Sequence, residues 1–210
     1  MRMIENKILS ITLIVLSAFI TISTFAQNKN DSSAIDYSHP GKYHQILAEL
    51  SGEWAFQGKK FSGNPNPDSN KVTMEFSGSF VRRPFADGRF FFVELTGAKS
   101  QLPVQDGKMK EGNVQDMEIE GYDNVKRKFL FTFINNHIGS FIIYAEGNYD
   151  AASKTISYEY EVEPVPGQKI KFRKLLIIHD NDHYKVEYYA ERNGKMVKTN
   201  ERNCTRAKGK

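Results

Sequence analysis

From Glu53 onward, apolar and polar residues alternate in short runs, and clusters of Gly, Pro, Asn and Asp separate the runs. Period-two alternation bounded by turn residues marks half-buried strands. Ten strands are predicted, at about 53–61, 71–82, 88–97, 115–122, 127–135, 139–149, 154–163, 169–178, 183–191 and 196–205. No long helical pattern follows any of them, which excludes βαβ units and sets the class as all-β. Upstream, Tyr43, Ile46, Leu47 and Leu50 fall at i, i+3, i+4 and i+7, the apolar stripe of a short helix that stops at Ser51-Gly52. Trp54, the sole tryptophan, stands at the mouth of the first strand, placed to plug one end of a small barrel.

Three hairpins can be registered by counting, because strand side chains alternate between faces. Asn193-Gly194 is a strong two-residue turn signal. Pairing Arg192 with Lys195 sets Ala190 against Val197, Tyr188 against Thr199, Val186 against Glu201 and Tyr184 against Asn203. The other face then carries Lys185, Glu187, Lys198, Asn200 and Arg202, so Glu201 is predicted to point inward among tyrosines. Across Pro164 to Gln168, the outer pairs are Glu163–Lys169, Glu161–Lys171 and Glu159–Arg173. The inner pairs are Val162–Ile170, Tyr160–Phe172, Tyr158–Lys174 and Ile156–Leu176, with Lys174 the one charge on an apolar face. The turn at Asp150 to Ser153 sets Gly147 against Ile156 and Ala145 against Tyr158. A ten-stranded meander with such inward layers most simply closes on itself, because closure removes exposed edges.

The chain before the helix is of a different kind. Arg2 and Lys7 precede a run from Ile8 to Ile22 that is apolar apart from Ser10, Thr12, Ser17 and Thr21, and Thr24-Phe25-Ala26 supplies small residues before Gln27. That layout reads as a cleaved export signal over 1–26, short for a membrane span. Residues 27–38 are polar and read as a flexible linker. The domain is then 39–210, exported to the periplasm or beyond, with no membrane attachment after cleavage. The formal net charge of +4 is mild and evenly spread, so no nucleic-acid partner is implied. Cys204 is the only cysteine, so no intrachain disulfide can form and packing alone must stabilise the fold. Two connectors stand out. Ser62 to Asn70 is turn-rich, and Lys99 to Asn113 reads as a disordered stretch or a lid.

Inward Glu201 and Lys174 are the sharpest chemical candidates, since a lone buried charge is costly and is normally paired or neutralised. With Tyr158, Tyr160, Tyr184 and Tyr188 they are expected to line a mostly apolar pocket with a few convergent polar groups. His39, His44, His137, His179 and His183 have no metal-ligand spacing, and a turn explains Asp180-Asn181-Asp182-His183 better than a ligand cluster does. Cys204 has no identifiable base partner, and no nucleophile-elbow or phosphate-cradling motif is present. Gly121-Tyr122-Asp123-Asn124 reads as a hairpin corner whose Asp123 caps a turn.

Leu50-Ser51-Gly52-Glu53-Trp54, Gly121-Tyr122-Asp123, Gly147-Asn148-Tyr149-Asp150 and the closing Glu201 to Arg206 resemble the secreted bacterial family called domain of unknown function 1579. The resemblance runs from about Tyr43 to Arg206 and implies a lipocalin-like (calycin) barrel, with no established activity and no named cofactor. It carries over Gly52, Trp54, Gly121, Tyr122, Asp123, Glu201, Thr205 and Arg206. The chain departs from the family at Phe133 and Asn135, where a Trp and an Asp are usual, and at Cys204, where an aromatic is. In lipocalins a last-strand arginine stacks on the Gly-x-Trp indole. Arg206 fills that role here if a bulge turns it inward. The sequence thus predicts an exported barrel that binds a small lipophilic ligand. The alternatives are a small-molecule enzyme using Glu201 as acid or base, and a solidly packed structural or interaction barrel.

Overall fold

A computed structural model describes residues 37–63, 70–96, 98–103, 108–137 and 139–207. The expected signal segment 1–26, linker residues 27–36 and connector residues 64–69 lie outside the described residues. Pro40 to Lys210 make one compact unit. It opens with helix α1 (Lys42–Glu49), followed by β1 (Gly52–Phe61), β2 (Val72–Phe85), β3 (Phe90–Thr96), β4 (Lys99–Pro103) and β5 (Met109–Asn113). After these come β6 (Asp116–Asp123), β7 (Lys128–Asn135), β8 (Ile143–Asp150), β9 (Thr155–Val165), β10 (Gln168–Ile178), β11 (His183–Arg192) and β12 (Lys195–Arg206).

Ten of these strands close into an antiparallel barrel in the order β1-β12-β11-β10-β9-β8-β7-β6-β3-β2. The meander is interrupted once, where β4 and β5 form a separate two-stranded sheet with Lys99 opposite Asn113 and Pro103 opposite Met109. The segment read as a disordered stretch or lid is therefore a paired hairpin in its described residues. Its alternation is too polar to announce a strand.

Two of the three counted hairpins keep their predicted faces. In β9–β10, Val162, Tyr160, Tyr158 and Ile156 stand opposite Ile170, Phe172, Lys174 and Leu176 as counted. In β8–β9 the register is two places from the counted one: Gly147 faces Tyr158 because the turn falls at 151–154, after Asp150. Asp150 sets that turn by accepting hydrogen bonds from Ala152 N and Ser153 Oγ. A shift of two leaves every side chain on its face. Gly147 is needed where it stands, since a Cβ there would meet Tyr158 Cδ1 at 2.6 Å.

The third hairpin departs. Asn193 and Gly194 take positive φ, and Ala190 faces Val197 and Tyr189 faces Lys198 as the count gives, but Tyr188 then pairs with Asn200 and not with Thr199. Thr199 is the extra residue of a β-bulge, and its Oγ1 donates to Tyr188 O at 3.2 Å. Beyond the bulge every facing in β12 reverses. Asn200, Arg202, Cys204 and Arg206 turn inward. Glu201 turns out and stands opposite Glu187.

Candidate functional site

One end of the barrel is sealed. Leu47 of α1 and Leu50 just after it are buried with Trp54, which is 0% exposed and donates its Nε1–H to Leu50 O at 2.9 Å. His44 is buried too: its Nδ1 accepts the Gly41 N–H at 3.0 Å, and burial pulls its pKa down. Tyr122 packs on Tyr43 and Phe129, with ring centres 4.6 and 5.0 Å away. Arg206 lies over the Trp54 ring at 4.5 Å and binds Ser51 O and Glu49 O at 2.6 and 2.7 Å. The bulge at Thr199 is what brings it there. Gly52, at φ +125°, clears the way, since a Cβ would stand 2.9 Å from Arg206 Nη1.

Below this seal lies a layer of buried charge. Strand β6 carries its acids on the inner face and Met117 and Ile119 on the outer one, the reverse of an ordinary barrel strand. Glu120, 0% exposed, pairs with Arg82 and lies 3.5 Å from Lys174, which in turn contacts Glu118 at 2.6 Å. Lys174 Nζ also sits 3.8 Å from the centre of the Phe131 ring. Burial alone would raise the Glu120 pKa, but Arg82 and Lys174 outweigh it and hold the carboxylate below its ordinary value. Two acids against two bases leave the layer formally neutral, the condition under which charge survives inside a fold.

Beyond the charged layer the interior contains two cavities. A cavity of about 170 Å³ is lined by Phe131, Phe133, Ile143, Tyr160, Phe172 and Tyr188, with Glu118, His137, Asn200 and Arg202 at its polar edge. A second, of about 90 Å³, shares His137, Asn200 and Arg202 and adds Phe56, Phe76, Leu95 and Asp116. Arg202 is held between Phe56 and Tyr188, its guanidinium carbon 5.3 and 5.6 Å from their ring centres. Its Nη2 approaches Asp116 Oδ2 only to 3.7 Å, too far for a hydrogen bond. Asp116 Oδ1 contacts His137 Nε2 at 2.6 Å, and Asn135 Oδ1 accepts the His137 backbone N–H. Arg202 Nε, Asp116 Oδ2 and Asn200 Oδ1 are buried without a hydrogen-bond partner.

Of the residues expected to line a pocket, Tyr160 and Tyr188 border the larger cavity. Lys174 and Tyr184 border a space of about 30 Å³. Tyr158 is packed against Phe131, centroid to centroid 5.5 Å. Glu201 is a correction. It lies on the outer face, where Lys198 and Lys185 meet it at 3.2 and 3.4 Å and share Glu187 with it. The regular count failed there because it allowed no bulge. Asp123 accepts the Val125 and Lys126 N–H groups at 2.8 and 2.9 Å and caps its turn. His183 pairs with Asp180 in the turn beside Arg206, and no group of three or more potential metal ligands occurs among the described residues.

Arg82, Asp116, Glu118 and Glu120 were not singled out by sequence, His137 was weighed only as a metal ligand, and Arg202 was placed on the outer face, from which the bulge turns it inward. The signal for β6 is there: Tyr122, which belongs under the helix, has the same parity as Glu120, Glu118 and Asp116. Away from the helix end the interior thus holds cavities of about 170 and 90 Å³ beside its packed core.

The family model of a protein of unknown function, DUF1579, matches residues 39–206. No curated protein matches the chain. A match over most of the chain, together with the closed ten-stranded barrel it carries, places the protein in the DUF1579 family.

Proposed function

We propose that the barrel binds a small, predominantly apolar molecule in its larger cavity. The observation that carries this reading is the cavity of about 170 Å³ walled by Phe131, Phe133, Ile143, Tyr160, Phe172 and Tyr188 above a charged floor. Mostly apolar walls with a few convergent polar groups characterise small-molecule sites. The charged layer under the floor fixes the depth of the site on the side of the helix. The same reading takes residues 1–26 as an export signal, so the ligand would be met outside the cytoplasm.

Native mass spectrometry of the protein from its own type of host, before and after denaturation, tests this. A mass excess that disappears on unfolding supports it and supplies the ligand mass. A clean protein mass, with no small apolar compound retained at high concentration, would sink it.

A second reading, an enzyme acting on a small molecule, draws support from the His137–Asp116 contact of 2.6 Å at the cavity edge. A carboxylate-oriented imidazole beside an apolar site is the arrangement of a general base. Glu201, facing outward, no longer serves this reading. If His137→Gln leaves every turnover found with the wild type unchanged, the reading falls.

A further inference from the structure

Arg202, Asp116 and Asn200, which all border the smaller cavity, each bury a polar atom without a hydrogen-bond partner. Arg202 Nε is a donor, Asp116 Oδ2 an acceptor, and Asn200 Oδ1 a second acceptor. A buried donor or acceptor left unsatisfied costs about 1–3 kcal/mol, so native folds seldom keep several together unless something meets them. Asp116 is firmly placed. Its side chain is 4% exposed, and its other oxygen is engaged by His137 at 2.6 Å. Arg202 is fixed in turn by the Phe56 and Tyr188 rings.

The charges narrow the ligand class. Arg202 and Asp116 are 3.7 Å apart and balance each other. An anionic ligand against Arg202 would place a second negative charge beside Asp116, and a cation against Asp116 a second positive charge beside Arg202. A neutral group with an acceptor next to a donor satisfies both and disturbs neither. A carbonyl oxygen receives Arg202 N–H, and the adjoining amide N–H is donated to Asp116 Oδ2. Size narrows it further. An apolar cavity of about 150 Å³ holds a benzene-sized ring, and the larger cavity, which Arg202 borders with Asp116 3.7 Å from its guanidinium, is about 170 Å³. Its aromatic walls suit a flat face.

We infer that the site takes a neutral, single-ring molecule bearing a primary amide or lactam edge, with the carbonyl on Arg202 and the N–H on Asp116. This rests on the ligand-binding reading above and sharpens it.

The test is calorimetric titration of the purified protein with benzamide, benzoate and toluene, repeated on Asp116→Asn. Benzamide should bind about tenfold or more tightly than either other probe, the worth of one or two well-made buried hydrogen bonds. Asp116→Asn should weaken benzamide and strengthen benzoate, because the repelling charge is gone. If all three bind alike, the cavity binds ligands but the amide edge is wrong. Benzoate bound best by the wild type would make the site an anion site and overturn the inference in the same way. If none binds, the ligand-binding reading fails with it. Should Asp116→Asn not fold, the wild-type order of affinities decides by itself.

Discussion

Lys174 Nζ stands 2.6 Å from Glu118 Oε2, joining β10 to β6 across the interior at a point where both side chains are almost fully buried. The Glu118 side of the contact borders the larger cavity. Removing one partner of such a pair strands the other charge, at a cost of about 3–5 kcal/mol. Lys174→Met should lose about that much, with Glu118 and Glu120 left facing each other, and denaturant unfolding monitored by circular dichroism measures it. A loss below about 1 kcal/mol, the range of an exposed pair, would show that the charges are not sequestered as described.

The acid limb of stability follows from Glu120. Its folded-state pKa is held below the ordinary value of 4.5 because Arg82 and Lys174 outweigh burial. The unfolded chain therefore takes up a proton at a higher pH than the folded one. Its stabilising contribution is complete above about pH 4.5 and is lost as pH falls through the folded value. Glu120→Gln, which has no proton to accept there, should lose less further stability between neutral and acidic pH than the wild type does. Equal slopes would mean that Glu120 is not depressed.

Arg206 closes the helix end by stacking on Trp54 and binding two carbonyls of the α1–β1 junction. Arg206→Gln should cost about 2–4 kcal/mol for the lost stacking and charged hydrogen bonds. As Trp54 is the single tryptophan, its emission should shift to the red in the folded variant. An unchanged spectrum would place the guanidinium elsewhere.

Cys204, inward-facing and buried, has its thiol pushed up to about 11, chiefly by burial. Only the thiolate reacts readily. The folded protein should therefore resist iodoacetamide near pH 8 and react fully once unfolded. Rapid labelling of the folded protein would contradict the inward facing.

Most of the fold was legible because hydrophobic alternation and turn chemistry agree along it. The hairpin after Pro164 registered correctly from Val162–Ile170 onward because its charge pairs and its apolar pairs point the same way, whereas next to the turn Gln168 faces Val165 and the counted Glu163–Lys169 pair does not form. The last hairpin did not, and the reason is visible in the chain. Val197 and Cys204 are seven residues apart, so one regular strand cannot bury both, yet both are buried. An inserted residue between them was required, and the inward Arg206 required it too. Lys198 to Asn203 is uniformly polar and gave periodicity nothing to register. The charged layer was hidden by the opposite effect. In β6 the apolar residues face out, so reading apolar as inward conceals Asp116, Glu118 and Glu120.

That reversal can be checked directly. In a Cys204→Ser background, Asn203→Cys, exposed on the outer face, should label quickly with a thiol reagent and Arg202→Cys slowly, the reverse of what an unbulged strand gives. Equal or inverted rates would move Arg202 out of the cavity and remove the basis of the site.

The claim on which the rest depends is that the larger cavity of the barrel is a ligand site edged by Arg202, with Asp116 beside it. A high-resolution crystal structure of protein purified from its own type of host tests it most directly. Density is expected for a flat organic molecule between Phe131, Tyr160 and Tyr188, with one polar edge touching Arg202 Nε and Asp116 Oδ2. Collapse of the aromatic walls into the space, or ordered waters alone after saturation with benzamide, would contradict it.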